Sequence, residues 1–367
     1  EAEKVGLSNQ IVPSLDAYNV VLVNGVYSEE LSDMNFPDEI VVDTFPKALE
    51  LHIALIHDTF NGIAKNNEEV FTALNTSYFH EGVFIHIPKK VKLEKSIHII
   101  HVNTKSNVVS NVRLLIVADE FSEVGVVQSF ASINAMECLT NSVTEIFAAE
   151  NAIVDYYKVQ NDKDSASLVD STFINQESES HVAVHTFSFG GKLIRNNLNF
   201  YQNGEYMDST LKGVTIIGNK QHVDHNTLVH HIEPNCRSHQ DYKGIFSDSS
   251  VGVFNGKVLV NKEAQKTNAF QANNNLLVND KATVNTKPQL EIFADDVKCS
   301  HGCTIGQLDE NAMFYLRARG IREKEAKALL MYAFANNVLE SVKIPQLKNR
   351  INKLIANKLG VNIGFDL

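Results

Sequence analysis

The chain contains no tryptophan among its 367 residues, and it has only 7 prolines and 4 cysteines. Four cysteines are too few for a disulfide framework in a chain of this length. Cys138, Cys236, Cys299 and Cys303 are therefore predicted to be free thiols in a reducing compartment, and a cytoplasmic location is expected. The lack of tryptophan counts against an enzyme that binds polysaccharides in a groove lined by exposed aromatic side chains.

The sequence also lacks long apolar runs and an excess of basic residues. Its apolar runs, such as residues 114–118, fall far short of the roughly 20 residues that a membrane-spanning helix needs. A formal charge of −11 and a pI near 5.7 oppose nucleic-acid binding, which requires clustered lysine and arginine. The hydrophobic content of 44% is sufficient for a large buried core. Neither a membrane nor a nucleic acid is expected as a partner.

Short apolar runs of period two follow one another at close intervals from Gly82 onward. They include residues 83–87, 91–93, 97–99, 112–116, 124–127, 214–217, 251–260 and 276–284. This texture predicts many short strands and is more typical of a stacked β-solenoid than of a sandwich. No strict sequence period is present, so the sandwich stays open. Asparagine side chains are expected in left-handed bends and stacked amide ladders, namely at Asn196, Asn197, Asn255, Asn261, Asn273, Asn274, Asn275 and Asn279.

Helical patterns occur before and after this β region. Residues 1–80 are mixed and end in a helical pattern, whereas Asp309 is expected to cap a helix that ends at Gly320. A second helix would carry the apolar stripe Ala326, Leu329, Leu330, Ala333, Phe334 and Val338, and Pro345 would open a third with Leu347, Ile351, Leu354 and Ile355 on one face. These stripes would cover the end of the solenoid or bind a partner. The predicted regions are residues 1–80, 81–305 and 306–367.

Cys299, His301 and Cys303 are the strongest candidates for chemistry. Alternate residues of an extended chain share one face, which would bring three soft ligands within reach of one iron, zinc or sulfide. Three ligands from one strand cannot complete a tetrahedron without help. In the alternative interpretation, Cys299 packs inward and Gly302 breaks the strand.

Other chemical signals are weaker. Gly190, Gly191 and Lys192 are not accompanied by the other residues of a phosphate-binding loop. No catalytic motif is found either, so no enzymatic activity is expected. A segment rich in histidine is interpreted as structural, because neighbours in sequence are not neighbours in space on a solenoid. Its members are His222, His225, His230, His231, Cys236 and His239.

Four segments resemble the SufB/SufD family of iron–sulfur cluster assembly proteins. They are KPQLEIFADDVKCSHG at 287–302, VFNGKVLV at 253–260, QANNNLLV at 271–278 and FYLRARGI at 314–321. The run CSHG followed by TIGQLD is similar to the SufD branch. The resemblance implies a right-handed parallel β-helix with a helical N-terminal remnant and a C-terminal helical domain. It also implies a scaffold subunit that assembles with a SufB-like paralogue and a SufC-like ABC-type ATPase, or forms a homodimer in isolation.

The same resemblance implies the location of the functional site. A transient iron–sulfur cluster or iron would be bound at the interface with the SufB-like subunit, with His301 as the metal ligand and Cys299 as a secondary candidate. Cys303 replaces the alanine usual in SufD proteins and is a weaker candidate. No tightly bound cofactor is expected in the isolated chain.

The C-terminal helical region, residues 308–332, would dock the ATPase. The residues expected to do so are Phe314, Tyr315, Arg317, Arg319 and Gly320. Two other functions stay open, a β-helix enzyme acting on polysaccharides and a purely structural interaction subunit in which His301 binds no metal.

Overall fold

The computed structural model describes residues 15–33, 35–64, 69–133 and 137–360 and shows a parallel β-solenoid flanked by helices. Its strands are β1 Ala17–Val23, β2 Val26–Tyr27, β3 Val41–Thr44, β4 Glu81–Ile87, β5 Ser96–Asn103, β6 Val108–Ala118, β7 Glu123–Ser132, β8 Cys138–Ala148, β9 Ile153–Gln160, β10 Ala166–Gln176, β11 His181–Ser188, β12 Leu193–Gln202, β13 Asp208–Ile217, β14 His222–His231, β15 Arg237–Phe246, β16 Val251–Val260, β17 Asn268–Leu277, β18 Thr283–Ile292 and β19 Lys298–Gly306. The helices are α1 Phe45–Leu51, α2 Ile53–Thr59, α3 Val70–Tyr78, α4 Glu310–Ala318, α5 Glu323–Leu339 and α6 Pro345–Leu359, with a short 3₁₀ helix at Glu29–Leu31.

Successive strands alternate between two sheets, which we call sheet A and sheet B. Sheet A has the order β19-β17-β15-β13-β11-β9-β7-β5-β1-β2, and sheet B has the order β18-β16-β14-β12-β10-β8-β6-β4-β3. From β4 onward each strand pairs in parallel with the strand two positions later, so each turn adds one strand to each sheet. The predicted parallel β-helix is confirmed and the sandwich is excluded. Strand β1 pairs in parallel with β5, so the solenoid starts within the region predicted as 1–80.

The core is the lumen between the two sheets. Side chains of one parity along each strand, such as Ile99, Val126 and Tyr156, point inward and are fully buried. Two of the predicted strands are wrong: residues 91–93 form a corner with one isolated bridge, and residues 276–284 span the turn between β17 and β18. Apolar character alone does not separate a corner that packs inward from a strand.

Asparagine occurs in both of the predicted roles, but the left-handed bends lie at positions other than those predicted. Left-handed backbone is found at Asn151 (φ 59°), Asn219 (φ 52°) and Asn235 (φ 63°), none of which was singled out from the sequence. Of the asparagines that were singled out, only Asn261 and Asn279 lie in turns; the others lie within strands. There Asn255 Nδ2 donates to Asn226 Oδ1 at 3.1 Å, one step of an amide ladder.

Helices α1, α2, α5 and α6 pack on the outer walls of the solenoid. In one apolar cluster, α1 and α2 contact the outer face of sheet B through Phe45 and Ile56, which lie with Phe84 of β4. Helices α5 and α6 cover the outer face of sheet A, where Met331 and Ile351 pack with strand residues of β7 to β15. The expectation that the C-terminal helices cover the end of the solenoid is therefore wrong for α5 and α6.

The buried stripe of α5 differs from the predicted one. Its buried residues are Ala326, Ala328, Met331, Ala335, Val338 and Leu339, whereas the predicted Ala333 is exposed. The helix is apolar around much of its circumference, so periodicity alone does not fix which side meets the sheet. In α6 the four predicted residues, Leu347, Ile351, Leu354 and Ile355, are all buried.

Candidate functional site

Cys299, His301 and Cys303 all lie on β19, the last strand of sheet A. The strand continues through Gly302 and ends at Gly306, so the predicted break at Gly302 is wrong. Because the three residues have the same parity, they share one side of the strand.

The register of β19 shows that this shared side faces the lumen. Their in-register partners on β17 point inward and are buried: Ala269 beneath Cys299, Gln271 beneath His301 and Asn273 beneath Cys303. No further strand of sheet A follows β19 in the described residues. The three side chains thus occupy the open end of the solenoid, where His301 and Cys303 are exposed and Cys299 is half-buried.

The spacing along β19 keeps one ion from contacting all three side chains. A strand extends by about 6.7 Å for every two residues. Cys299 and Cys303 are four residues apart, so their Cα atoms are separated by roughly 13 Å. In the part of the chain that the structure describes, no group of three or more histidine, cysteine or acidic side chains could hold a metal ion. The expectation that all three reach one ion is thus not met within this chain. A complete site would require ligands from another molecule.

The two cysteines of β19 differ in their surroundings. Burial raises the pKa of the Cys299 thiol, while a backbone hydrogen bond at Ala269 acts in the opposite direction. The thiolate is the form that binds metal, so burial disfavours metal binding by Cys299 while it stays half-buried. The exposed imidazole of His301 can be reached from outside the chain.

Exposed apolar side chains surround the open end. Ile292 and Ile305 are 38% and 47% exposed, and Phe293, which follows β18 directly, is 63% exposed. Exposed apolar side chains at the end of a fold are typical of an interaction site. The sequence pattern does not distinguish these residues from core residues, because an apolar residue of a predicted strand is first assigned to the core. Their position in the last turn of a predicted solenoid is the feature that could have identified them as exposed from the sequence.

The histidine-rich segment has structural contacts. His231 Nε2 lies 2.9 Å from Ser238 Oγ, and His225 Nε2 lies 2.9 Å from Thr215 Oγ1, both inside the lumen. Burial lowers the pKa of each of these histidines to about 3 and raises the pKa of Cys236 to about 11. These groups are neutral at pH 7 and buried, so the structural interpretation is confirmed for them.

A second candidate surface lies on α4. Its N-cap Asp309 accepts hydrogen bonds from Asn311 N at 2.8 Å and Ala312 N at 3.2 Å, as predicted. The helix has no buried residue, and Phe314 and Tyr315 are 76% and 55% exposed. Two adjacent aromatic side chains this exposed are typical of a surface that binds a protein.

Arginine and glycine complete this α4 surface. The Arg319 guanidinium carbon lies 4.5 Å from the Tyr315 ring centroid, and Arg317 is exposed. A groove of about 890 Å³ separates α4 from the turn after β17, with Phe314 and Arg317 among its lining residues. Gly320 follows the helix with φ +88°, a conformation that favours glycine, and leads the chain into α5.

Comparison with known proteins gives a consistent result. The family model described as SUF system FeS cluster assembly, SufBD core domain, matches residues 100–334, and that of the SufBD protein N-terminal region matches residues 9–99. An iron–sulfur cluster assembly SufBD family protein of Synechocystis is 32% identical over 359 residues, 95% of this chain and 79% of the relative. The iron–sulfur cluster assembly protein SufD of Escherichia coli is 30% identical over 351 residues, 94% of this chain and 80% of the relative. Protein ABCI7, chloroplastic, of Arabidopsis thaliana is 30% identical over 354 residues, 93% of this chain and 74% of the relative.

No helix in the described ranges is long and apolar enough to cross a membrane.

Proposed function

Because this chain belongs to the SufBD family of iron–sulfur cluster assembly proteins, we propose that it is a SufD-like scaffold subunit whose last solenoid turn supplies part of a transient cluster site. A SufB-like paralogue would bind at the open end and supply the remaining ligands. The observation that carries this proposal is the exposed His301, held beside Cys299 on an uncovered last strand with too few ligands of its own.

The chemistry of the ligands supports a shared site. Iron–sulfur clusters are held mainly by thiolates, with imidazole as an occasional substitute. A site that must release its cluster benefits from ligands divided between two subunits, since separating the subunits breaks the coordination. His301 is the proposed ligand of iron, Cys299 is a secondary ligand, and Cys303 is the weakest candidate of the three. The isolated chain is expected to hold no cluster tightly.

We further propose that the α4 surface docks a SufC-like ABC-type ATPase. The residues would be Phe314, Tyr315, Arg317, Arg319 and Gly320. The exposure of the two aromatic side chains and the absence of buried residues in α4 support this, because the helix contributes little to the core of this chain. In this proposal the protein performs no catalysis itself, and the ATPase performs the nucleotide hydrolysis.

Family membership weighs against the alternative of a polysaccharide enzyme, since the matched models describe cluster assembly. A purely structural subunit remains the competing function. A cytoplasmic location also stays a prediction, and one relative is chloroplastic.

The direct test is anaerobic co-expression with a SufB-like paralogue and a SufC-like ATPase, followed by iron and sulfide analysis of the purified complex. The His301→Ala variant is expected to form the intact complex and to lose most of its iron and sulfide. His57→Ala is the matched control, because the His57 side chain is 85% exposed and lies on α2, which packs on the wall of sheet B. Unchanged cluster content in His301→Ala would leave this chain as an architectural subunit only.

A further inference from the structure

A column of polar side chains inside the lumen leads to His301. Gln240 of β15 pairs in register with Gln271 of β17, which pairs in register with His301 of β19. Both glutamines are fully buried. Gln271 Nε2 donates to Gln240 Oε1 at 3.3 Å, and Thr227 Oγ1 donates to the same oxygen at 2.8 Å. The first bond fixes the Gln271 carboxamide on the side of the preceding turn, and the second fixes the Gln240 oxygen that accepts it.

The backbone of sheet B leaves room for this carboxamide. A Cβ atom at Gly256 would lie 2.2 Å from Gln271 Nε2, a distance that side chains do not tolerate. Glycine at position 256 therefore permits the close approach of the Gln271 amide. The amide is packed as well as hydrogen-bonded, so its orientation is restricted.

Two atoms of the column have no partner in the described part of the chain, Gln240 Nε2 and Gln271 Oε1. Gln271 Oε1 is buried and accepts no hydrogen bond within the described part of the chain. A buried acceptor without a donor is unfavourable, so such groups usually meet a donor. The next side chain in the column is His301, on a strand about 4.8 Å away and on the same lumen-facing side. An imidazole ring carries an N–H that can supply the missing bond.

We propose that Gln271 is a positioning residue for His301: the two side chains make no hydrogen bond in the structure, and rotation of the His301 ring would let Gln271 Oε1 accept one from a ring nitrogen, so that the other nitrogen points toward the open end and the incoming iron. A histidine that binds metal commonly donates its second ring N–H to a fixed acceptor, which sets the tautomer and the ring orientation. The acceptor in this site is the oxygen of a carboxamide whose nitrogen is bonded to Gln240 and lies against Gly256. This inference rests on the proposed function of His301 as an iron ligand.

The test uses the full chain without metal, labelled with ¹⁵N at histidine. Long-range ¹H–¹⁵N correlation spectra report the tautomer of each imidazole, and the His301→Gln variant assigns the His301 signals. We expect one predominant His301 tautomer in the wild type and a mixture of both tautomers in Gln271→Leu. Gln271→Glu retains an acceptor and should restore a single tautomer. Gln271→Met replaces Gln271→Leu if the leucine variant does not fold.

The control is Gln202→Leu, which removes a fully buried lumen glutamine of sheet B that is bonded to Ser209 and Arg237. It should leave the His301 signals unchanged. Identical His301 tautomers in wild type and Gln271→Leu would overturn the proposal, and so would a tautomer mixture already present in the wild type.

A second measurement separates this inference from the proposed function. In the co-expressed complex, Gln271→Leu is expected to reduce iron content about tenfold, in line with losses of groups that orient metal-binding histidines. If His301→Ala leaves the cluster intact while Gln271→Leu changes the His301 tautomer, the hydrogen bond stands and the proposed function is wrong. If His301→Ala removes the cluster while Gln271→Leu changes neither tautomer nor iron, the function stands and the positioning role is wrong.

Discussion

Glu145 shows at the residue scale how a single buried charge connects two parts of the fold. Its carboxylate accepts hydrogen bonds from the backbone amides of Asn61 at 2.8 Å, Ile63 at 3.1 Å and Ala64 at 3.0 Å, and it pairs with the Arg113 guanidinium. Both charged side chains are fully buried. The carboxylate therefore fixes the segment after α2 to the outer face of sheet B.

Glu145→Ala is expected to lower the free energy of unfolding by about 3–5 kcal/mol, because it leaves a buried guanidinium without its counter-charge. Urea unfolding followed by circular dichroism measures this change. Glu123→Ala is the control, since Glu123 pairs with Lys92 at 3.8 Å on the exposed surface, where such pairs contribute about 1 kcal/mol or less. Equal losses in both variants would contradict the role assigned to Glu145.

At the element scale, the three C-terminal helices differ in how much of their surface is buried. Helices α5 and α6 are anchored on sheet A by a large apolar cluster, whereas α4 buries no residue and presents its aromatic side chains outward. An element with few buried contacts is free to bind a partner without loss of the core.

Replacing Phe314 and Tyr315 together by alanine is expected to weaken binding of the SufC-like ATPase at least tenfold, because exposed aromatic side chains often dominate binding energy. Isothermal titration calorimetry of the purified chain with the ATPase measures the affinity. The free energy of unfolding should change by about 0.5 kcal/mol or less, since both residues lie outside the core. Tyr78→Ala is the matched control, because Tyr78 is 60% exposed at the end of α3. Unchanged affinity in the double variant would rule out α4 as the main docking element.

At the scale of the whole molecule, the described part of the solenoid ends in strands that no further strand covers. Strands β18 and β19 end their sheets, and β19 is exposed along most of its length. Backbone groups on such an edge are available to pair with another chain. In the absence of a paralogue, a second copy of this chain is the expected occupant.

Ile305→Lys should convert an isolated homodimer to monomer, because a twofold contact would bring two lysines toward each other across an apolar surface. Light scattering coupled to size-exclusion chromatography measures the mass of wild type and variant at equal concentration. Val26→Lys is the control, since Val26 is 56% exposed on β2 at the opposite end of sheet A. A dimer that persists in Ile305→Lys would place the contact elsewhere.

Buried histidines make the stability of the whole solenoid sensitive to acid. Burial lowers the pKa to about 3 for His98, His101, His185, His225 and His231. The unfolded chain binds these protons near the ordinary pKa of 6.5, so it holds more protons than the folded chain between pH 6.5 and 3. Stability is therefore retained above pH 6.5 and lost as the pH falls, by up to about 1.4 kcal/mol per pH unit for each histidine.

Urea midpoints measured at pH 7.5, 6.5 and 5.5 should show this loss. His231→Asn is expected to flatten the decline, because it removes one of the five groups. His57→Gln, which changes a histidine that is 85% exposed, should keep the wild-type slope. A midpoint that does not depend on pH over this range would show that the buried histidines do not control acid stability.

Much of the architecture could be predicted because its signals are local. Period-two runs predicted the strands, Asp309 and Pro345 marked the starts of two helices, and the four buried residues of α6 follow from helical spacing. The wrong strands at 91–93 and 276–284 have the same origin: a corner that buries an apolar side chain has the composition of a strand.

The sequence by itself determined that Cys299, His301 and Cys303 share one side of a strand, because alternation is a property of the extended backbone. Only the tertiary structure decided which side that is and what lies beneath it. Gln271 precedes His301 by a whole turn of the solenoid, and the register that joins them depends on packing summed over both sheets. The same packing puts α5 and α6 on the wall of sheet A, which leaves the last turn open to another molecule.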